Sequence, residues 1–377
     1  MTTNQDRLNT DCKVQFMQNE RFITIGGKRF HYTWLRDHCP SPKCRHQTSF
    51  QRLYDISDGI LPPKPLSVEE RDGQLIIDWD ENPPHRSIFS ISWLLRHAYD
   101  PKPLDFTNEI VLWDKLWLEA NSPDRPDTQS CNSQLWINQL FKLGFVILQN
   151  IAPENLDSFI SSIGPIRNTE YGKISSVKVT QEAKDLFATA HGLPPHTDFT
   201  FWQGNRVAQF LYCVENNALG GDSMVVDGFR VANDFRQDHP DHFQTLVKTP
   251  VQFWLYNDKL KYFFCPENPI IELDQEGRVA ALRFHYKNYI LNLPFEQMES
   301  FYEAYSSFFN YLKNPDYQYC FSLKPGDCLL LQNFRVLHGR TAFDPKSGTR
   351  EIKTAYMEWD YFIGRRNFDR REFYFAE

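Results

Sequence analysis

The chain has 377 residues, with 41% hydrophobic and 15% aromatic side chains, which suffices for one large domain and a smaller one. Its net charge of −7 and its dispersed basic residues argue against nucleic acid as a partner. No segment approaches about eighteen consecutive apolar residues and residues 1–20 are polar, so we expect no membrane span, no secretion signal and a cytoplasmic protein.

Three segments are predicted along the chain. Residues 1–99 form a small β-rich domain, residues 100–129 a connecting segment rich in proline and acidic residues, and residues 130–377 a larger domain. The eight cysteines lie in a chain without a predicted export signal, which indicates thiols or metal ligands and not disulfides.

Short β-like runs alternate with turns in the larger domain, notably at residues 207–214, 222–226, 251–255 and 327–331. Longer helical patterns occupy residues 133–142 and 295–312, and their apolar residues form stripes. Such stripes are typical of helix faces that are buried against a sheet. The pattern therefore predicts a mainly β core with flanking helices.

His196-Thr197-Asp198 is the most informative motif of the chain. Side chains two apart on a strand point the same way, so His196 and Asp198 can reach one metal while Thr197 faces elsewhere. Together with His338 from another predicted strand, they would supply two imidazoles and one carboxylate. Such a set can hold iron(II) on one face and leaves three coordination positions for chemistry.

The motif has a second occurrence in the chain, and His338 has an alternative interpretation. His239-Pro240-Asp241 has the same spacing, but it follows a helix-like stretch and contains proline, which is typical of a turn. His338 follows the apolar run at residues 328–331, so it can also be interpreted as a hydrogen-bonded histidine of the core.

Arg350 follows His338 after a polar turn at residues 344–348. A strand, a turn and a returning strand would bring its guanidinium group back towards the metal. The planar guanidinium can bind a carboxylate through two N–H groups, which a lysine does less well. The alternative is a solvated arginine that pairs with Glu351.

In their order along the chain, these residues resemble the iron(II)- and 2-oxoglutarate-dependent oxygenases, in the branch of γ-butyrobetaine hydroxylase and trimethyllysine hydroxylase. The matching motifs, which span most of the chain, are Trp34-Leu-Arg-Asp-His-Cys39, Gln51-Arg-Leu53, His196-Thr-Asp198, Gly220-Gly-Asp-Ser223, Val225-Val-Asp-Gly-Phe229, Pro325-Gly-Asp327, Leu337-His-Gly-Arg340 and Arg350 before Ala355-Tyr356. The resemblance implies a double-stranded β-helix, or jelly roll, as the catalytic domain, preceded by a small β-rich N-terminal domain.

The resemblance also implies the cofactors and their ligands. Iron(II) would be held by His196, Asp198 and His338, and 2-oxoglutarate would place its distal carboxylate on Arg350, with Ser223 as a hydroxyl donor. Dioxygen is the second cosubstrate. The expected reaction is hydroxylation of an unactivated C–H bond with release of succinate and carbon dioxide, and desaturation and ring formation are alternatives that these residues do not separate.

In γ-butyrobetaine hydroxylase the small N-terminal domain carries a structural zinc ion held by three cysteines and a histidine. The resemblance transfers Cys39, Cys44 and His85 as candidate ligands, while Ser41 stands where the remaining cysteine would be. Serine is a poor zinc ligand, because its hydroxyl keeps its proton where a thiol does not. His46 is a candidate to complete the tetrahedron, and the alternative is a loop without metal.

Family members that take trimethylammonium compounds surround the cation with aromatic rings. Tyr171 and Tyr356 fall at matching positions, but Ser175 and Ala188 replace two aromatic walls, with Phe187 next to Ala188. Each desolvated cation–π contact is worth roughly one to two kcal/mol, so we do not expect γ-butyrobetaine itself as the substrate.

Charged residues suggest another substrate class. His285 replaces an asparagine that would bind the substrate carboxylate, and Arg283 lies beside it. If both face the pocket, they favour a carboxylate or phosphonate, while Phe199 can accept an apolar portion. We therefore predict a small amino acid derivative or natural-product intermediate. The alternative for Arg283 is an outward position in which it balances nearby acids.

Several interpretations stay open at this point. A trimethylammonium-compound hydroxylase, a catalytically silent β-helix binding protein and a protein or peptide hydroxylase are the alternatives in function. The aromatic C-terminal end, residues 359–375, is a candidate surface for a homodimer, or it covers the chain's own barrel.

Overall fold

The computed structural model of the protein describes residues 14–15, 21–100, 110–178, 189–204 and 206–368. Its contacts divide the chain into two compact units, Met1–Thr107 with Asn367–Glu377, and Asn108–Arg366. Within the described ranges, no helix has the length and apolar character needed to cross a membrane.

The described residues of the first unit form two small antiparallel sheets and two short helices. Its elements are Val14–Gln15 (β1), Phe22–Ile25 (β2), Lys28–His31 (β3), Tyr32–Asp37 (α1), a 3₁₀ turn at Ile56–Asp58, Pro65–Arg71 (β4), Gln74–Trp79 (β5), His85–Ser90 (β6) and Ile91–Arg96 (α2). The sheet orders are β1-β2-β3 and β4-β5-β6. Every second residue of β5 (Leu75, Ile77 and Trp79) is fully buried, as expected for a strand with one face on the core.

The second unit is larger and mainly β. Its helices, the last of which extends past residue 366, are Lys115–Asn121 (α3), Ser133–Leu143 (α4), Leu156–Ile163 (α5), Gly228–Asp238 (α6), Pro240–Lys248 (α7), Phe295–Lys313 (α8) and Trp359–Phe368 (α9). Its longer strands are Phe145–Leu148 (β7), Ile174–Lys178 (β8), Leu193–His196 (β9), Val207–Asn216 (β10), Ser223–Asp227 (β12), Tyr319–Phe321 (β20), Cys328–Gln332 (β21), Val336–Arg340 (β22) and Arg350–Glu358 (β24). Shorter strands complete the series, namely Leu219–Gly220 (β11), Val251–Phe253 (β13), Leu255–Asn257 (β14), Tyr262–Phe264 (β15), Glu267–Asn268 (β16), Ile271–Leu273 (β17), Val279–Leu282 (β18), Tyr289–Ile290 (β19) and Phe343–Asp344 (β23).

Two facing antiparallel sheets form the core of this unit. One has the order β7-β21-β10-β24-β8 and the other the order β20-β12-β22-β9. Leu329 and Ile352 of the first sheet share a buried cluster with Val225 and Val336 of the second. The other face of the first sheet packs in a cluster with helical residues, as Phe210 of β10 does. The jelly-roll architecture with flanking helices that the resemblance implied is therefore confirmed.

Residues 110–129 of the predicted connecting segment belong to the second unit. Trp113 is fully buried, and its indole Nε1 donates a hydrogen bond of 2.6 Å to the backbone oxygen of Leu143. Its backbone N–H donates to the Asp227 carboxylate at 3.2 Å. The division by contacts accordingly falls at residue 108. A buried tryptophan anchors a segment whose proline and acid content resembles that of a linker.

Most predicted elements have counterparts in the structure, with shifted ends. The runs at residues 207–214 and 327–331 lie in β10 and β21. The helical patterns at residues 133–142 and 295–312 are α4 and α8. The run at residues 251–255 does not form one strand, because it is divided between β13 and β14, which pair with different partners.

Candidate metal centre and cavity

Strand pairing brings the two candidate histidine ligands together. β9 and β22 are antiparallel neighbours, and His196 and His338 are direct partners in their register. The ring centroids of these histidines are 4.5 Å apart. Nδ1 of His196 bonds to the backbone oxygen of Pro194 at 2.8 Å, so Nε2 is the nitrogen that faces the other ligands. Both imidazoles are buried at the same edge of the four-stranded sheet.

Asp198 lies just beyond the end of β9, where other residues fix its backbone. Asn333 accepts a hydrogen bond from the Asp198 N–H at 2.8 Å and donates one to the Asp198 backbone oxygen at 2.8 Å. Thr197 is fully buried and points away from the histidines, since its hydroxyl accepts a bond from the Phe284 N–H at 3.0 Å. The predicted division of roles within the His-x-Asp motif is thus present in the structure.

The three candidate ligands form a compact set. Oδ1 of Asp198 lies 3.6 Å from His196 Nε2, and Oδ2 lies 3.7 Å from His338 Nε2. One ligand atom from each residue lies within 4.8 Å of the others. This spacing leaves room for a metal ion between atoms that are too far apart for strong hydrogen bonds to one another.

Burial sets the charge states of this set. It lowers the pKa of His196 and lowers that of His338 to about 4, so both imidazoles are neutral and offer lone pairs. Burial acts to raise the pKa of Asp198, but attraction by His338 and His196 and the Tyr356 hydroxyl hold that pKa below its ordinary value. Two neutral imidazoles, each with a free nitrogen lone pair, and one ionised carboxylate are the donor set expected for iron(II). The residues present therefore fit this ion.

Two further side chains contact the Asp198 carboxylate. Gln209 donates to Oδ2 through Nε2 at 2.7 Å, and the Tyr356 hydroxyl donates to the same oxygen at 2.7 Å. Neither Gln209 nor Asn333 was predicted from the sequence. A signal was present in each case: Gln209 is a polar residue in an otherwise apolar run, and Asn333 directly follows a buried strand.

A cavity of about 260 Å³ adjoins the candidate ligands. This volume is close to the lower end of the range for small-molecule sites, which is roughly 300–1,000 Å³. The cavity is built by strand alternation, because every second residue of β24 faces it: Arg350, Ile352, Thr354 and Tyr356. Among its described wall residues Asp198 is the only acid, whereas Lys287, Arg340 and Arg350 are cationic.

Arg350 occupies one end of this cavity, together with Ser223. Its Nε donates to the backbone oxygen of Gly221 at 2.9 Å, and no carboxylate of the described residues forms an ion pair with it. A Cβ on Gly221 would lie 2.8 Å from the Arg350 side chain, so a glycine is needed beside it. Burial lowers the pKa of Arg350, although a guanidinium keeps its charge. A buried cation without an anionic partner is suited to a ligand carboxylate.

Arg340 is a second buried cation on this wall. The sequence places it in the Leu337-His-Gly-Arg340 motif, and no separate role was predicted for it. Its guanidinium donates to the backbone oxygen of Thr189 and, at 3.2 Å, to that of His191. Burial, and next the neighbouring Arg350, lower its pKa to about 10. Both guanidinium groups approach the ring of Phe343, with their Cζ atoms 5.3 and 6.0 Å from its centroid. The cavity therefore concentrates positive charge at this end.

The structure brings most of the predicted substrate residues to the cavity. The wall contains Tyr171, Ser175, Phe199, His285 and Tyr356. Phe199 stacks on Trp202 with ring centroids 3.7 Å apart and meets the ring of Tyr356 edge to face. The predictions for Phe187 and Ala188 lie outside the described residues.

Arg283 is placed differently from the expectation that it contacts substrate. It is absent from the described wall of the cavity, donates to the backbone oxygen of Gln203 at 3.0 Å and lies 3.8 Å from a carboxylate oxygen of Glu272. The alternative was an outward position in which it balances nearby acids; Arg283 has an acid neighbour in Glu272, but it is buried and does not point outward. Residues 283–285 lie beyond the end of β18, so strand alternation does not place their side chains, and the backbone N–H of Arg283 donates to the backbone oxygen of Ile270.

The candidate zinc ligands in the first unit also meet in part. His85 Nε2 lies 3.2 Å from Cys39 Sγ and 3.4 Å from Cys44 Sγ. His46 is not part of this group, because its Nδ1 bonds to the N–H and hydroxyl of Ser49. A hydrogen bond from Cys39 lowers the pKa of Cys44, as does the Arg36 guanidinium. The described residues therefore provide three of the four ligands of a closed structural zinc site.

The second His-x-Asp motif has no metal-binding geometry. His239 joins α6 to α7, and Pro240 is the first residue of α7. Neither His239 nor Asp241 belongs to a group of candidate ligands among the described residues. The interpretation of this motif as a helix junction agrees with the structure.

Two family models match the chain. A family model described as "Taurine catabolism dioxygenase TauD, TfdA family" matches residues 119–356. A second, described as "Gamma-butyrobetaine hydroxylase-like, N-terminal", matches residues 7–95. Among solved structures, the PvcB protein from Pseudomonas aeruginosa is similar at 16% identity and a TM-score of 0.47, over 62% of this chain and 83% of that one.

Two relatives resemble the chain over nearly its whole length. The gamma-butyrobetaine dioxygenase of Pseudomonas sp. (strain AK-1) is 30% identical over 351 residues, which cover 89% of this chain and 89% of the relative. The human mitochondrial trimethyllysine dioxygenase is 27% identical over 349 residues, which cover 88% of this chain and 80% of the relative. The chain therefore belongs to the TauD/TfdA family and is an iron(II)- and 2-oxoglutarate-dependent dioxygenase.

Proposed function

We propose that the protein hydroxylates an unactivated C–H bond of a small amino acid derivative or natural-product intermediate that carries a carboxylate or phosphonate, and that γ-butyrobetaine is not its substrate. His196, Asp198 and His338 would hold iron(II), while Arg350 and Ser223 would bind the distal carboxylate of 2-oxoglutarate. When bound, these groups and dioxygen supply the oxidising power, and 2-oxoglutarate leaves as succinate and carbon dioxide.

The charge of the cavity wall is the observation that carries the substrate class. Asp198 is the only acid among the described residues of the cavity wall, and its charge would be neutralised at the metal. Arg350 would be neutralised by the cosubstrate. Lys287 and Arg340 also line the wall with cationic side chains. Cationic side chains on the wall of a partly desolvated cavity favour an anionic ligand over a quaternary ammonium group.

His285 supports an anionic group close to the metal. Its ring centroid is 5.5 Å from that of His196, and its Nδ1 is buried without a hydrogen-bond partner among the described residues. Burial lowers the pKa of His285 to about 3, so it is a neutral imidazole and acts through a hydrogen bond and not through charge. An N–H at Nδ1 could donate to a substrate carboxylate or phosphonate.

The apolar part of the substrate would lie against the rings and aliphatic side chains of the cavity wall. Phe199, Phe201, Leu255 and Ile352 face the cavity there. Ser175 also faces it, at a place where an aromatic wall would be needed around a trimethylammonium group. The site would therefore hold an apolar body by burial and an acidic end by hydrogen bonds.

A trimethylammonium-compound hydroxylase is the second candidate function. The names and the 30% and 27% identities of the two relatives favour it, as do the rings of Tyr171 and Tyr356 on the cavity wall. Substrates of both kinds can carry a carboxylate, and the two candidates differ in whether the cavity also accepts a quaternary ammonium group, so substrates can separate them.

The test is a comparison of small molecules as substrates of the iron-loaded protein. γ-Butyrobetaine and trimethyllysine are compared with their unmethylated counterparts and with N-acylated and aromatic amino acids, by substrate-dependent succinate release and by a product mass increased by one oxygen atom. We expect the highest kcat/KM for an acid without a quaternary nitrogen. A highest kcat/KM for either trimethylammonium compound would contradict the proposal and favour the second candidate.

A matched pair of variants tests the wall directly. Ser175→Trp restores an aromatic face, and one desolvated cation–π contact should tighten γ-butyrobetaine binding by roughly 5- to 30-fold. Ser175→Leu adds bulk without an aromatic face and should not tighten it. Equal effects of the two variants would show that Ser175 does not limit binding of the cation.

A further inference from the structure

The Asp198 carboxylate uses its two oxygens unequally. Oδ2 accepts hydrogen bonds from Gln209 Nε2 and the Tyr356 hydroxyl, each at 2.7 Å. Gln209 Nε2 also donates to the Tyr356 hydroxyl oxygen at 3.1 Å, which closes a ring of three side chains. Among the described residues, Oδ1 accepts no hydrogen bond and lies 3.6 Å from His196 Nε2.

The sheet register places the pair that bonds to Oδ2. Gln209 of β10 and Tyr356 of β24 are direct cross-strand partners. Both side chains face the cavity, and both are buried, Gln209 with 1% exposure and Tyr356 with 6%. Two adjacent strands of a packed sheet move little relative to one another, so the donors are fixed before any ligand binds.

The direction of the Gln209 amide follows from its surroundings. An ionised carboxylate accepts hydrogen bonds only, so the amide nitrogen must face Asp198 and the amide oxygen must face away. Oε1 of Gln209 is buried and has no hydrogen-bond partner among the described residues. Leaving a buried acceptor unpaired is unfavourable, which indicates that the side chain is held in this orientation by its bond to Asp198.

We propose that Gln209 and Tyr356 are positioning residues that occupy Oδ2 of Asp198 and thereby limit this carboxylate to binding iron through Oδ1 alone. A carboxylate that used both oxygens would fill one of the three positions that the cosubstrate and dioxygen require. The pair thus maintains the open face of the centre. This role depends on the iron assignment and is independent of the proposed substrate.

This role differs from the one that the sequence suggested for Tyr356. Its ring can still form part of the substrate wall, because Phe199 meets it edge to face at 4.4 Å between centroids. Its hydroxyl, however, is directed at Asp198. Removing the hydroxyl while keeping the ring therefore separates the two roles.

The test uses Tyr356→Phe, Gln209→Met and the double variant. The matched control is Tyr212→Phe. Tyr212 lies on β10, the strand that carries Gln209, and its buried hydroxyl donates to the backbone oxygen of Ile151 at 2.9 Å, away from the metal. Each protein is titrated anaerobically with iron(II), and the visible absorption of the cobalt(II) form is recorded with and without 2-oxoglutarate, because this absorption reports the coordination number.

We expect each single variant to bind iron(II) about 10- to 100-fold more weakly, which is typical for groups that orient a metal ligand. The cobalt(II) spectrum of each single variant should also report a change in coordination number when 2-oxoglutarate binds. The spectra of the wild type and of Tyr212→Phe should report no such change. The double variant should lose less than the product of the two single losses, because the residues bond to each other and to the same oxygen.

The proposal would be overturned if both single variants bound iron(II) within twofold of the wild type and gave cobalt(II) spectra that match those of the wild type. Tyr356→Phe keeps the packed ring, so it reports on the hydroxyl even if Gln209→Met does not fold. A wild-type chain that bound no iron(II) would overturn the iron assignment together with this role, whereas variants that match a metal-binding wild type would overturn the positioning role alone.

Discussion

Asp198 shows which parts of a site a sequence can reveal at the scale of single residues. The ligand triad follows from residue chemistry and spacing, because few side-chain types bind iron(II) and a His-x-Asp pair on a strand presents both groups to one side. The groups that hold Asp198 do not follow. Asn333 reaches it from the turn after β21 and Gln209 reaches it from β10, and these contacts depend on strand order and register, which local patterns do not specify.

Substitution of Asn333 tests the importance of this backbone clamp. In Asn333→Ala the two hydrogen bonds to the Asp198 backbone are lost, each worth about 0.5–1.5 kcal/mol, and the ligand should become mobile. We expect iron(II) affinity to fall about 10-fold or more by anaerobic titration. The control is Asn233→Ala, which removes a hydrogen bond from the Asn233 side-chain amide to the backbone oxygen of Phe229 in α6. Equal iron affinity in both variants would exclude the clamp as a determinant of binding.

Arg350→Lys tests the cosubstrate end of the cavity. A lysine keeps the charge but cannot offer two parallel N–H groups, so 2-oxoglutarate should bind about 10- to 100-fold more weakly, a loss of roughly 1.4–2.7 kcal/mol. Iron(II) binding without cosubstrate should be unchanged. The measurement is a 2-oxoglutarate titration of iron-loaded protein, with the exposed Arg278→Lys as the control. An unchanged 2-oxoglutarate affinity would contradict the role of Arg350.

At the scale of elements, the pairing of β9 with β22 sets the separation of the two histidines. The sequence indicated a buried strand before His338, and β22 carries this histidine. It did not indicate that β9 would be its neighbour, because strand order depends on contacts between distant segments. For the same reason the run at residues 251–255 was predicted as one strand, although its halves pair with different partners.

Gly339 is the residue at which this pairing is most vulnerable. A Cβ there would lie 2.4 Å from the backbone oxygen of Leu193, a contact that cannot be relieved by a side-chain rotation. Gly339→Ala should therefore push β9 away from β22 and weaken iron(II) binding by more than about 10-fold, while circular dichroism still shows a folded β protein. Gly364→Ala, where a Cβ would meet no atom within 4 Å, is the control. Normal iron affinity in Gly339→Ala would contradict this account of the ligand geometry.

At the scale of the whole molecule, the chain divides into two units, and each contains a group of candidate metal ligands among its described residues. The domain boundaries at residues 99 and 129 stay predictions, and residues 110–129 of the predicted linker are anchored in the larger unit through Trp113. Composition identifies a polar, proline-containing segment and does not reveal that one aromatic residue within it is buried. The jelly roll was predicted correctly because strand-length apolar runs and family motifs pointed to the same architecture.

The first unit yields a prediction about zinc. Its described residues offer only Cys39, Cys44 and His85, so zinc should bind weakly or exchange readily. Ser41→Cys supplies a fourth ligand and should raise zinc affinity at least about 10-fold in competition with a chromophoric chelator. His46→Ala should leave zinc affinity unchanged, because His46 bonds to Ser49. Tight zinc binding by the wild type that is lost in His46→Ala would show that His46 is the fourth ligand.

The central claim is that His196, Asp198 and His338 hold the iron to which 2-oxoglutarate binds. Anaerobic titration of iron(II) and 2-oxoglutarate, followed through the weak visible metal-to-ligand charge-transfer band, tests it most directly. We predict this band in the wild type and in His239→Ala, which alters the motif at the helix junction, and its absence in Asp198→Ala and His338→Ala. A folded wild type without the band, or a band that survives in both ligand variants, would contradict the account.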